Sequence, residues 1–128
     1  MIVLDTHVLL WWTQQPELIS RKALAAIERA DQIIVPSIVF WEAALLVRKR
    51  RFALKRAQTV LDWTQAVLSI PRVIEAPLTA ELAVRADGLP MHSDPADRFI
   101  VATALQLRAP LVTKDSLLRE LSAVRAVW

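Results

Sequence analysis

The chain has 128 residues, no cysteine, one glycine and a formal net charge of +3. That length sits at the ~100–150-residue mode for one domain; the missing thiols exclude disulfides and thiolate metal sites, and no apolar run approaches the ~18 residues needed to cross a bilayer. A lone glycine also excludes the P-loop and the dinucleotide fingerprint, which need several at fixed offsets, so no nucleotide cofactor is expected.

In chain order, the apolar run at residues 1–4 reads as a strand buried on both faces. No basic segment precedes it, so no secretory leader is expected, and a cysteine-free chain fits a reducing cytoplasm. Ser20 can cap a helix that sets Ala23, Leu24 and Ile27 on one face. Ile33, Ile34 and Val35 form a second strand closed by Pro36, and Ser37 can cap a helix running to the basic cluster Arg48, Lys49, Arg50 and Arg51. Residues 54–68 read as a further helix with Leu54, Leu61 and Leu68 at heptad spacing, stopped by Pro71. A weaker strand over 72–76 precedes a short helix that carries Thr79, Leu82, Ala83 and Ala86 and ends near Gly88, where a glycine is favoured.

Residues 89–93 read as a loop. Asp94-Pro95-Ala96-Asp97 then opens a helix with a capping residue, proline at the first helical position and an acid in the first turn, and that helix runs to about Arg108. A fourth strand over 111–113, a short helix from Ser116 and a fifth strand over 124–128 complete the chain. Strands alternating with helices predict an α/β fold, a mostly parallel sheet of about five strands flanked by helices.

Asp5, Glu42, Asp97 and Asp115 each stand at the edge of, or within, an apolar segment. Taken singly, the three aspartates have ordinary roles as capping or turn residues. Glu42 has none, because it lies amid Phe40, Trp41, Ala43, Ala44 and Leu45 and an unpaired buried carboxylate is costly. In open α/β sheets ligands bind beyond the carboxyl ends of strands, and all four carboxylates can reach one such cleft. Carboxylate oxygens suit a hard cation such as Mg²⁺ or Mn²⁺; His7 and His92, the only imidazoles, read as groove or structural residues. The five tryptophans are assigned to the core or a subunit contact ahead of base stacking.

Jointly, Asp-Thr-His-Val-Leu-Leu-Trp-Trp from Asp5, Trp-Glu-Ala from Trp41, His-Ser-Asp-Pro-Ala-Asp-Arg from His92 and Val-Thr-Lys-Asp ending at Asp115 occur in the order seen in PIN-domain ribonucleases. The chain resembles the VapC-type toxins of toxin–antitoxin pairs along essentially its whole length. That resemblance implies a single PIN-like, three-layer domain over 1–128 and a Mg²⁺- or Mn²⁺-binding pocket built from Asp5, Glu42, Asp97 and Asp115, with Asp94 as an additional acid nearby. It implies endoribonuclease activity, a homodimer and a partner antitoxin that occludes the pocket. Relatives commonly carry a basic residue and a phenylalanine where this chain has Ser93 and Ala96, a departure that bears on substrate preference.

On that reading Asp5 is the central ligand, Glu42 and Asp97 complete the principal site, and Asp115 holds a second ion or orients the attacking water. Thr6 and Thr113 are placed to hydrogen-bond the carboxylates. Arg48, Lys49, Arg98 and Lys114 are candidate contacts to the RNA. A phosphatase with an aspartyl nucleophile generally places a second aspartate two residues after the first, where this chain has His7. The rival of another class is a non-catalytic RNA-binding or protein-interaction module that retains the fold.

Overall fold

A computed structural model describes residues 1–92 and 94–128; Ser93 lies outside the described residues. Five strands form one sheet: β1 (Ile2–Leu4), β2 (Ile33–Pro36), β3 (Val73–Ala76), β4 (Leu111–Val112) and β5 (Ala126–Val127). Their order is β3-β2-β1-β4-β5, and every pairing is parallel rather than most of them. β1, β2 and β4 are buried at every position, as strands covered on both faces must be. The helices are α1 (Thr6–Gln14), α2 (Arg21–Arg29), α3 (Ser37–Arg48), α4 (Val60–Leu68), α5 (Ala80–Asp87), α6 (Pro95–Leu107) and α7 (Ser116–Arg119). No described helix is long and apolar enough to cross a membrane.

From β1 the chain steps outward to β2 and β3, then returns to the other side of β1 for β4 and β5. The reversal leaves a crevice beyond the carboxyl ends of β1 and β4, where doubly wound sheets bind ligands. Leu4 is in register with Val112, so the residues that follow, Asp5 and Thr113, emerge side by side. α6 packs on α3, β1 and β2, and α1 on α3, which brings three helices to the same edge.

Several helix starts follow the expected chemistry. Ser20 accepts from the Ala23 amide at 3.1 Å, Thr79 from that of Leu82 at 3.1 Å, and Asp94 from that of Asp97 at 3.3 Å. Elsewhere the structure corrects the sequence reading. Ser37 is not a cap: Pro36 occupies that position, and the Ser37 hydroxyl donates instead to Glu75 at 2.7 Å and to the Ala76 carbonyl, tying α3 to β3. The helix expected over 54–68 begins only at Val60, capped by Thr59, because a left-handed Arg56 and Ala57 interrupt the segment before it. Leu54 therefore lies outside α4 and the heptad count fails; Trp63 and Val67, one turn apart, are each 1% exposed, while Leu61 is 67% exposed. α1 has no counterpart in the sequence reading, since its consecutive apolar residues Val8 to Trp12 show no 3.6-residue period.

The single glycine is not where the backbone needs one. Gly88 ends α5 at φ −77°, an ordinary right-handed conformation, whereas Arg50, Arg56, Ala57, Arg72 and Arg108 adopt positive φ. A left-handed conformation strains a side-chain-bearing residue by about 1–2 kcal/mol. At Arg72 the guanidinium donates to the carbonyls of Glu28 and Ala30, at 3.2 and 2.5 Å, and closes the end of α2. Arg108, ending α6 at φ 52°, is exposed. Arg108→Gly is therefore expected to raise stability by roughly 0.5–1 kcal/mol, strain relief less the added freedom of the unfolded chain. Arg72→Gly is expected to lower it, because its hydrogen bonds to carbonyls outweigh the strain. Urea midpoints of the two variants check the contrast.

Candidate functional site: an acidic cleft at the sheet's switch point

Asp5 leaves β1 in an extended conformation and caps α1, its Oδ1 accepting from the Thr6 amide at 2.7 Å. Its other oxygen accepts from the Thr113 hydroxyl at 2.6 Å, across the β1–β4 boundary. The Asp5 amide donates to the Val112 carbonyl at 3.1 Å, so backbone and side chain are both fixed by the neighbouring strand. Thr113 Oγ1 also accepts from the Asp115 amide at 3.0 Å, joining two acids through one hydroxyl. Asp115 in turn caps α7, accepting from the Leu117 amide at 2.8 Å. Glu42, on α3, accepts a short hydrogen bond from the Thr6 hydroxyl. Asp94 caps α6 and Asp97 lies in its first turn.

These elements enclose a cleft of about 420 Å³ lined by Asp5, Glu42, Asp94, Asp97 and Asp115, with His7, Trp11 and Lys114 on its remaining wall. A larger cavity of about 730 Å³, lined by Trp12, Trp63, Lys55 and Arg56 among others, contains no carboxylate and is not the chemical centre.

Within the cleft the tightest group is Glu42, Asp94 and Asp97, each offering an oxygen within 4.8 Å of the others. Asp94, expected as an additional member of the metal-binding acids, belongs to the innermost set. Asp5, read as the central ligand, stands just outside it with both oxygens already accepting hydrogen bonds, and is 7% exposed.

The electrostatics are those of crowded anions. Burial raises the Asp5 carboxyl above its ordinary value, against the opposing hydrogen bonds from Thr113 and Thr6. Burial raises Glu42 as well, opposed by the Thr6 hydroxyl and reinforced by Asp5 and Asp94. Asp97 is pushed up to about 8, first by burial and then by Asp5, Asp94, Glu42 and Asp115. His92 faces Asp97 at 3.5 Å, too far for a good hydrogen bond, and its other ring nitrogen accepts from the Asp94 amide at 3.4 Å. A donor set of carboxylate oxygens that repel one another fits a hard divalent cation, which would relieve repulsion that protons otherwise relieve.

The candidate substrate contacts divide. Lys114 lines the cleft. Arg48 and Lys49 do not; they end α3, with Arg48 roughly 9 Å along the axis from Glu42 at 1.5 Å per residue. The Arg98 guanidinium is spent on backbone: it donates to the carbonyls of Ala86 (3.0 Å), Asp87 (3.1 Å), Leu89 (3.0 Å) and Met91 (2.8 Å). Arg98 thereby straps down the segment that leads to Asp94, a role its place in the sequence did not reveal. Trp11 is the cleft residue that the sequence reading assigned elsewhere; with α1 itself unread, no signal in the sequence set it one turn from His7.

The PIN-domain family model matches residues 2–124. The chain belongs to the PIN-domain family. It is 40% identical over 120 residues to Ribonuclease VapC22 of Mycobacterium tuberculosis, covering 92% of this chain and 89% of that protein. Its fold is similar to the crystal structure of VapBC2 from Rickettsia felis bound to a promoter DNA fragment, with a TM-score of 0.70 at 18% identity over 98% of this chain and 97% of that one. It is also similar to a toxin–antitoxin complex from Klebsiella pneumoniae, with a TM-score of 0.67 at 16% identity over 97% and 95% of the two chains.

A pH dependence follows for the metal-free PIN protein. A carboxyl raised from 3.8 to about 8 on folding binds its proton more tightly in the native state, so its contribution to stability is complete below about pH 4 and is lost as pH rises through 8. In chelator the wild-type melting temperature is expected to fall between roughly pH 5 and pH 9, and Asp97→Asn to flatten that fall. Mn²⁺ is expected to raise the melting temperature most at the alkaline end, where it has no proton to displace. Thermal melts across that range, with and without the ion, check all three.

Proposed function

We propose that the protein is a divalent-metal-dependent endoribonuclease that hydrolyses RNA phosphodiester bonds, acting as a single domain in the cytoplasm as the toxin of a toxin–antitoxin pair. The observation that carries this reading is the convergence of five carboxylates from four separate segments on one cleft. The 40% identity to a ribonuclease supports the choice of RNA over other phosphodiesters.

Glu42, Asp94 and Asp97 would hold Mg²⁺ or Mn²⁺, with Asp5 and Asp115 at the margin of that set. Bound there, such an ion supplies charge neutralisation for the phosphate and a lowered pKa for water. The remaining work belongs to the chain. Thr6 and Thr113 fix the directions of Glu42 and Asp5, so those oxygens do not reorganise when substrate enters. Asp115, held by Thr113 and by its own cap, would orient the attacking water. Lys114 meets the incoming polyanion at the rim. Attack by water leaves a 5′-phosphate and a 3′-hydroxyl. Single-stranded or loop RNA is the substrate class, because splayed nucleotides enter a cleft that a duplex cannot.

The antitoxin partner is assigned to the same cleft, where a basic side chain would answer the carboxylates. A homodimer is supported by large apolar side chains left at the surface, among them Trp41 at 56% exposure.

Asp5→Asn is expected to lower RNA cleavage by at least about 100-fold and to relieve growth inhibition, with the circular dichroism spectrum unchanged. End-mapping of cellular RNA after brief expression, beside that variant, tests the assignment. RNA that is bound but left uncut by the wild type in the presence of Mn²⁺ contradicts it.

A further inference from the structure

One wall of the acidic cleft is not built from carboxylates. Trp11 lines it beside His7 and Lys114. Its indole packs against two other rings: the Trp128 ring lies 5.8 Å away at 55°, and the His7 ring 5.6 Å away at 50°. The Lys114 ammonium sits over the indole, 5.5 Å from the ring centroid. Among the described lining residues Lys114 carries the only permanent positive charge, and it forms no ion pair among the described residues. The other tryptophans have different surroundings. Trp63 is buried in the core, Trp12 shares the larger cavity with it, and Trp41 stands exposed on α3.

We infer that Trp11 and Lys114 form a nucleotide subsite beside the carboxylate cluster, where the indole stacks on a base next to the scissile phosphate and the ammonium holds that nucleotide's phosphate. The inference rests on the ribonuclease reading and adds how the substrate is gripped. Three physical arguments carry it. A polyanion entering a pocket of five acids needs a cation that is not already paired, and Lys114 supplies it at the mouth. An aromatic already held by neighbouring rings loses little freedom when a base stacks on it. An ammonium on a flexible four-carbon stem can leave the ring face to a base and follow the phosphate, exchanging a cation–π contact for a charge-assisted hydrogen bond. Stacking tolerates any base but requires an uncovered face, so the subsite selects unpaired nucleotides without dictating their sequence.

The test uses Trp11→Ala, Trp11→Phe and Lys114→Met with a short, mixed-sequence, single-stranded oligoribonucleotide. Binding is read by fluorescence anisotropy in the Asp5→Asn background, where the probe is not cut; KM and kcat are read without that substitution. Trp11→Ala is expected to weaken binding, and to raise KM, by about 5- to 150-fold with kcat nearly unchanged. Trp11→Phe should recover most of that loss, since a phenyl ring still stacks. Lys114→Met should weaken binding and make it less sensitive to salt, as expected when one phosphate contact is removed. Mn²⁺ affinity, by calorimetry, should stay within about twofold of wild type in all three.

Binding by Trp11→Ala equal to that of its parent overturns the subsite. So does a loss shared equally by Trp11→Ala and Trp11→Phe together with lost Mn²⁺ affinity, which would make the indole a prop for the cleft. Unchanged oligonucleotide binding with a weakened grip on co-expressed antitoxin also overturns it, and assigns the wall to the protein partner. The ribonuclease reading fails separately, when the wild type binds the probe and never cuts it.

Discussion

Five carboxylates share one cleft in this PIN protein, and their mutual repulsion is the constraint around which the local structure is built. Part of the answer is that three helices begin there. Asp5, Asp94 and Asp115 cap α1, α6 and α7, so each accepts hydrogen bonds from amides that would otherwise be orphaned. Helix amino termini carry partial positive charge, and converging three of them sets a favourable field around the anions. Of the two remaining acids, Glu42 lies mid-helix without such help and takes its hydrogen bond from Thr6. Burial first, and then the charge those donors leave uncompensated, push the Asp97 carboxyl up to about 8. A divalent cation is the natural complement to that residue of unbalanced charge.

The sheet makes the assembly rigid. Parallel pairing of β1 with β4 at a fixed register places Thr113 against Asp5 with no loop between them to flex. Arg98 does for the segment before α6 what the register does for β1 and β4: four carbonyls held by one planar guanidinium fix the approach to Asp94. The carboxylates are thus positioned by backbone pairing, helix caps and one arginine. Such supports resist reorganisation when charge develops in a reaction.

Much of this was legible in the sequence, for reasons that can be named. β1 and β2 are continuous apolar runs, and the Asp94-Pro95 start of α6 has cap, proline and acid in their expected places. α1 was not legible because it is apolar on nearly all sides, and amphipathic period is the signal by which a helix is read. α4 was misplaced because leucines at heptad spacing outweighed Thr59, although the buried pair is Trp63 and Val67. Among site residues, Asp5, Glu42, Asp97 and Asp115 were singled out because acids at the edges of apolar runs are anomalous. The inner position of Asp94 and the strap formed by Arg98 depend on how a loop folds back, which no local pattern encodes.

Three of the four arginines in left-handed conformations serve the finishing ends of helices. Arg50 follows the end of α3, Arg108 follows the end of α6, and Arg72 seals the end of α2 just before β3. All of these are carboxyl ends of helices, and α6 runs from the acidic cleft at Asp94 to Arg108. Along α6, negative charge therefore stands at the start, with Asp94 and Asp97, and positive charge at the finish, with Arg108, in line with the polarity of the helix itself.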